Sequence, residues 1–395
     1  MQTQSKNASG TTASLLLTAL LFASPAWAQE CEVKIGVVGP MSGGAAQWGL
    51  AAKAGAEFAA AMANLDGGLP MGNRKCRVKV ISFDALYTAA GGAAAANSLA
   101  NDGVRVVIGP VGSPENAGFR TVAKRYGQIS FNTSYMEGAI SPEYPLAFHA
   151  LQSPITWGPL AVKAAKEQFK FTSALVIAPN DQAGTDAAKQ LNKMYSDLGV
   201  KSSEEFYQRG TTNFGPLAIR VLNANPGTVE MTSVPPGDAI SIAKQLAEAG
   251  YKGYVGSLGG SGPMPIIQAF GGLDKVKGLY WLDISPASHP GIVKMRADFQ
   301  RVMKVPAPEP ALFSTVALAA EVALNAISRA GTDQDGEKIA DVLRKSTPES
   351  RYVGKAGWRG KTLYGINQEL TFPVGMGMVI DGKMAPARTI EIPTE

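Results

Sequence analysis

Two loops in this chain combine hydroxyl groups with backbone donors in a pattern suited to holding a small anion. Gly109-Pro110-Val111-Gly112-Ser113-Pro114-Glu115-Asn116 follows a run of β-branched residues and opens a helical segment. In an open α/β sheet, ligands settle beyond the carboxyl ends of strands, where free helix N–H groups favour negative charge. Ser113 stands at the expected N-cap, with Asn116 three residues on, so its plain role is to cap that helix. The functional reading adds that its hydroxyl and the adjacent N–H groups receive a ligand carboxylate or carbonyl. Asn132-Thr133-Ser134-Tyr135 follows the next predicted strand and is expected beside it at the same sheet edge. Trp48, at the start of the first predicted helix, is either core or a wall of the same pocket.

Catalytic inventory is thin. His149 and His289 are the two histidines, which excludes a multi-His metal site and leaves two candidates for a His-bearing triad. No nucleophile elbow, phosphate-binding loop, zinc-protease helix or dinucleotide fingerprint occurs. Ser241-Ile242-Ala243-Lys244 matches Ser-x-x-Lys, but it falls inside a predicted helix and its companion motifs are missing. The net charge of +5 is spread over scattered basic residues with no stripe suited to nucleic acid. The residues therefore point to binding, with no catalytic residue, metal or cofactor expected and a small molecule as the partner.

The elements that must position these loops alternate along the chain. Strands are predicted at Val33–Val38, Arg77–Phe83, Val104–Ile108 and Gln128–Phe131, separated by helices at Gln47–Asn64, Ala89–Asn101 and Ser113–Tyr126. After Leu151-Gln152-Ser153-Pro154 the pattern restarts, with helices from Trp157, Thr185, Phe214 and Ala239 and strands at Ala174–Ile177, Glu204–Tyr207, Thr228–Thr232, Tyr254–Gly256 and Gly278–Leu282. A long helix is predicted at Leu312–Ala330, and a hairpin-like region around Asp381-Gly382 closes the chain. Alternation of this kind implies α/β architecture, with parallel sheets covered by helices on both faces. Two such runs predict two similar lobes.

The first 28 residues read as a signal peptide: Lys6, an apolar core Leu15–Phe22, and Ala26-Trp27-Ala28 as the cleavage site. The leader predicts export, to the periplasm, with cleavage after Ala28. The later segments are read as too short or too polar to cross a membrane. Cys31 and Cys76 each stand immediately before an alternating strand. If those strands are neighbours, the two thiols fall within disulfide reach; two separate buried thiols are the alternative.

Lys34-Ile-Gly-Val-Val-Gly-Pro-Met-Ser-Gly43 with Ala46-Gln-Trp-Gly49, Asn101-Asp-Gly-Val104 and Val107-Ile-Gly109 together resemble the leucine/isoleucine/valine-binding protein family of periplasmic solute receptors. Gly215-Pro-Leu217 and the closing Phe372–Ile380 region are similar in placement. The resemblance implies the type I periplasmic-binding fold: two doubly wound parallel-sheet lobes, joined by three crossovers near Leu151, Ile284 and Val374. It implies lobe 1 over 29–150 plus 285–373 and lobe 2 over 151–284 plus 374–395. It also implies a receptor that captures a solute between the lobes and delivers it to an ABC transporter permease; the sequence makes no strong case for oligomerisation, so a monomer is expected. The same fold reporting to a membrane signalling partner is the alternative.

Carried over by position, the resemblance makes Trp48 a pocket wall and Ser113 a carboxylate ligand, with Ser134 and Tyr135 beside it. In the second lobe Gln182 fits the pattern, but Ala183 replaces a covering tyrosine and Leu258 replaces the acid that pairs with a ligand ammonium. A buried ammonium without a carboxylate is costly. The resemblance thus leaves two expectations. Either the solute is a carboxylic acid or amide, or Asp181, Glu137 or Asp283 substitutes for the missing acid.

Overall fold

The strand Glu32–Gly39 (β1) is Val- and Ile-rich and buried along nearly all its length, as a parallel strand covered on both faces must be. The computed structural model describes residues 31–372, 374–390 and 392; the expected signal peptide lies outside the described residues. β1 pairs in parallel with β3 (Arg74–Asp84) and β4 (Val106–Ile108), and β5 (Ile129–Asn132) and β6 (Ala147–His149) extend the sheet in the same sense. Short antiparallel pairs finish both edges: β2 (Leu69–Met71) on β3, and β14 (Gly357–Arg359) on β15 (Glu369–Thr371), which itself runs parallel to β6. The helices α1 (Ala46–Leu65), α2 (Ala89–Asn101) and α3 (Ser113–Arg125) supply the crossovers.

The second sheet repeats the plan. Parallel strands run in the order β8 (Lys201–Tyr207), β7 (Ser173–Pro179), β9 (Thr228–Met231), β10 (Tyr254–Ser257) and β11 (Gly278–Asp283). Helices α4 (Pro154–Phe169), α5 (Gln182–Asp197), α6 (Gly215–Ala224), α7 (Pro236–Glu248) and α8 (Pro263–Ala269) cover its two faces. The last long strand, β16 (Val374–Ile380), joins β11 antiparallel and turns at Asp381-Gly382 into β17 (Lys383–Met384); β18 (Arg388–Ile390) pairs with its other edge. Asp381 and Gly382 both have positive φ, 46° and 72°, as a two-residue hairpin turn demands. β16 enters directly from the first sheet with no helical crossover, so nothing forces it to run parallel.

The chain passes between the sheets three times: between His149 and α4, after Asp283, and between Thr371 and Val374. Beyond the second passage, α9 (Pro290–Met303), α10 (Leu312–Ala330) and α11 (Gly336–Lys345) join the core beneath β1. A small ribbon of β12 (Glu349–Ser350) and β13 (Gly354–Lys355) and the short helix α12 (Lys361–Tyr364) precede the return.

Helix α10 corrects one expectation. At 19 residues with a mean hydropathy of 1.2, it is long and apolar enough to cross a membrane by length and composition. It is instead a core helix, buried on most of its surface and packed on α1, where a Cβ on Gly55 would meet the Phe313 carbonyl at 2.4 Å. The Ala-rich faces of these helices let the two backbones approach that closely.

Cys31 and Cys76 form a disulfide, with Cα atoms 4.5 Å apart. β1 and β3 are adjacent with Glu32 opposite Arg77, so the cysteines preceding them stand side by side. Closing the 45-residue separation contributes about 4 kcal/mol in the chain-entropy treatment.

Candidate ligand-binding cleft

Ser113 lies in the first turn of α3, just beyond the end of β4. It is one residue inside the helix, and the N-cap is Gly112. The capping task falls to Glu115, whose Oε2 accepts from the Gly112 N–H at 2.9 Å. This corrects the expectation that Ser113 caps α3, and it frees the hydroxyl to reach the neighbouring loop. Ser113 Oγ accepts from the Tyr135 N–H at 3.0 Å and from the Ser134 hydroxyl at 3.2 Å. A hydroxyl has two acceptor lone pairs and one hydrogen. Both lone pairs are occupied, so Ser113 can only donate to a further group. Ser134 accepts in turn from the Met136 N–H at 3.2 Å, and both serines are buried. Ser113, Ser134 and Tyr135 are thus brought together by direct bonds.

Beside them stands Tyr87, in the loop between β3 and α2, which the sequence reading passed over. Its ring packs against Gly112, where a Cβ would come within 2.3 Å of Cε2. Leu86 and Tyr87 both adopt left-handed backbone, at φ 53° and 57°, a strained arrangement for non-glycine residues that clusters at binding sites. Two carboxylates hold the loop. Glu115 Oε1 accepts from the Tyr87 N–H at 3.2 Å, and Asp84 Oδ1 accepts from Leu86 at 3.0 Å and from Met41 at 2.9 Å. Burial pushes the Glu115 carboxyl up to about 7. At Asp84 burial acts the same way, but bonds from the Ser42 hydroxyl and the Met41 and Leu86 N–H groups win and hold it below the usual value.

The second sheet contributes Arg209, from the loop after β8. Its guanidinium lies 4.6 Å from the Tyr87 ring centroid and 5.8 Å from that of Trp48. The carboxyl edges of the two sheets therefore face each other here, with Trp48 half-buried between them. Arg209 Nε donates to Asp181 Oδ2 at 2.7 Å, and Asp181 Oδ1 caps α5 through the Gly184 N–H at 3.0 Å. Gln190 donates to the Tyr135 carbonyl at 3.2 Å, and Gly259 lies against the Tyr135 and Trp157 rings.

The remaining expected residues are placed differently. Gln182 is exposed, and its amide donates to both oxygens of Asp186 at 2.8 and 2.9 Å, one turn along its own helix. Ala183 is buried, its carbonyl accepting from Ser233 at 3.2 Å. Leu258 is fully buried in the apolar cluster around Trp157. Its N–H donates to Oε1 of the buried Glu230 at 2.6 Å, while Tyr195 donates to Oε2 at 3.0 Å. Burial pushes the Glu230 carboxyl up to about 8. Of the three acids named as substitutes, Asp181 is paired with Arg209, Asp283 accepts from the Ala287 N–H at 2.9 Å, and Glu137 is exposed.

Both histidines have other duties. His149 Nε2 lies 2.7 Å from the Ser134 carbonyl and Nδ1 3.1 Å from Glu369 Oε1, all buried. Glu369 also accepts from the Ser153 N–H at 3.1 Å and from the hydroxyls of Thr156 at 2.7 Å and Tyr364 at 3.0 Å. This network fastens the serine loop to the first crossover. His289 Nδ1 accepts from Gly291 at the start of α9. Among the described residues, neither imidazole is bonded to a nucleophilic side chain, as a triad requires.

Arg209 and Tyr87 follow β8 and β3 directly, so the rule that singled out Ser113, inspection of every strand's carboxyl end, would have found them. Glu230 was visible as the lone acid in Thr228-Val-Glu-Met231, a strand buried at every position.

The sequence profile described as periplasmic binding protein matches residues 32–369. The leucine-, isoleucine-, valine-, threonine- and alanine-binding protein of Pseudomonas aeruginosa is 26% identical over 332 residues, spanning 83% of this chain and 86% of that one. Among solved structures, the branched-chain amino acid transporter substrate-binding protein LivJ of Streptococcus pneumoniae, with isoleucine, superposes at a TM-score of 0.73 with 17% identity, covering 91% of this chain and 99% of that one. A solute-binding protein from R. palustris in complex with benzoate superposes at 0.72 with 15% identity, covering 91% and 98%. These relatives are solute-binding proteins, and the two structures share this chain's fold. The chain belongs to the periplasmic binding protein family.

Proposed function

We propose that this protein is an exported receptor that captures a small carboxylic-acid, amide or amino-acid-like solute between its two lobes and delivers it to an ABC transporter permease. The lobes are residues 29–150 plus 285–373 and residues 151–284 plus 374–395, acting as a monomer. The observation that carries the reading is Ser113: a buried hydroxyl at a helix N-terminus, its acceptor sites filled, left with a hydrogen to give to a solute oxygen. Trp48 and Tyr87 wall the first-lobe side, with Ser134 and Tyr135 beside Ser113. By the family resemblance, Gln182 and Leu258 complete the proposed site on the second lobe. Relatives that carry isoleucine or benzoate in the same fold support a carboxylate-bearing solute.

Thermal-shift screening of amino acids, aromatic acids, dicarboxylates and amides tests this. A solute at a hundred times its Kd adds about 2.7 kcal/mol of apparent stability. A panel with no stabilising member contradicts the proposal.

A further inference from the structure

The guanidinium of Arg209 is only partly used. Nε serves Asp181 and the face of the group stacks on Tyr87, yet Nη1 and Nη2 are buried with no hydrogen-bond partner among the described residues. An unmet buried donor costs about 1–3 kcal/mol, more when it is charged. Stacking on a ring leaves the in-plane N–H groups available, and a planar fork is matched by a carboxylate. Asp181 engages Arg209 through Nε alone, and the guanidinium lies against Tyr87 and near Trp48 of the first lobe, leaving Nη1 and Nη2 for a further acceptor.

Resting on the receptor reading above, we infer that Arg209 is a solute-binding residue, and that the solute presents one carboxylate to Ser113 and a second to Arg209. Both groups can only donate, so each end of the solute must accept. An ammonium at the second-lobe end would meet a cation, and the acids near it are already bonded: Asp181 to Arg209, Asp238 to Tyr207, Asp186 to Gln182, Glu230 to Leu258 and Tyr195. The substrate class is a small dicarboxylate.

Calorimetric titration with matched pairs tests this: butyrate and succinate, hexanoate and adipate, benzoate and terephthalate, with leucine as the zwitterion. The expected result is at least one pair in which the wild-type protein binds the dicarboxylate more tightly. Arg209→Met should weaken that dicarboxylate roughly 10- to 100-fold, the range of a charged hydrogen bond, and leave its monocarboxylate partner unchanged. Arg209→Lys keeps the charge without the fork and should fall between; it also decides the matter if Arg209→Met does not fold. The inference is overturned if leucine or the monocarboxylates bind as well as the dicarboxylates, or if both variants keep the wild-type ranking. In those cases the receptor reading stands, whereas failure of every probe to bind the wild-type protein overturns both.

Discussion

The two sheet edges that face each other are built from different chemistry. The first presents neutral donors: the Ser113 and Ser134 hydroxyls and the α3 N-terminus, braced by Glu115 and Asp84 on backbone N–H groups. The second presents a cation, Arg209, braced by Asp181, and a separate loop pinned by the buried Glu230. Hydroxyls and helix termini suit any carboxylate. A forked cation discriminates between solutes. On the proposed function, the contrast assigns the grip common to carboxylate ligands to the first edge and selection to the second.

The strongest test of the first edge is its anchor. Glu369→Ala removes the acceptor shared by Ser153, Thr156 and Tyr364 and leaves His149 Nδ1 without its partner. Loss of a buried charged partner costs about 3–5 kcal/mol, read as a lower urea midpoint, and solute affinity should fall with it because the Ser134 loop is released. Replacing both cysteines by serine should cost nearly as much, about 4 kcal/mol, yet leave affinity unchanged, since the disulfide lies at the amino end of β1, away from the site. Affinity that fell with the disulfide would show that the first edge is not an independent unit.

Ser113→Ala should weaken binding by about 1–3 kcal/mol with little change in stability, because Glu115 does the capping. The last test concerns pH. Burial raises Glu230 to about 8 and Glu115 to about 7 in the folded state, above the ordinary glutamate value in the unfolded chain. Both therefore favour folding while protonated, and stability should decline as pH rises from about 5 through 8. Glu230→Gln should flatten part of that decline in melting curves from pH 5 to 9, with Glu115 retaining the rest. A slope unchanged in Glu230→Gln would remove the buried acid from the account of the second edge.

Much of this was legible in the sequence. The strands alternate or run continuously apolar where they should, the cysteine pair marked the β1–β3 neighbourhood, and Ala89–Asn101 and Leu312–Ala330 were bounded as they are found. The family resemblance, carried by Lys34–Gly49 and the Val107-Ile-Gly109 strand end, pointed to two lobes. What stayed hidden depends on tertiary placement. β6 is a three-residue strand, too short for any periodicity to register. The role of Ser113 changed because Glu115, two residues on, won the cap. Arg209 and Tyr87 come from different sheets and meet only across the gap between them, so neither loop alone announces the pair. Leu258 read as a lost acid, whereas its backbone, bound to Glu230, is what shapes that loop.

The division of labour between the edges is tested most directly by titrating wild type, Ser113→Ala and Arg209→Met with succinate, adipate and benzoate in one calorimetric series. Ser113→Ala should weaken every carboxylate that binds by a similar factor, and Arg209→Met should weaken the dicarboxylates while sparing benzoate. If Arg209→Met instead weakens all three alike, or none, the second edge does not select the solute and the account fails.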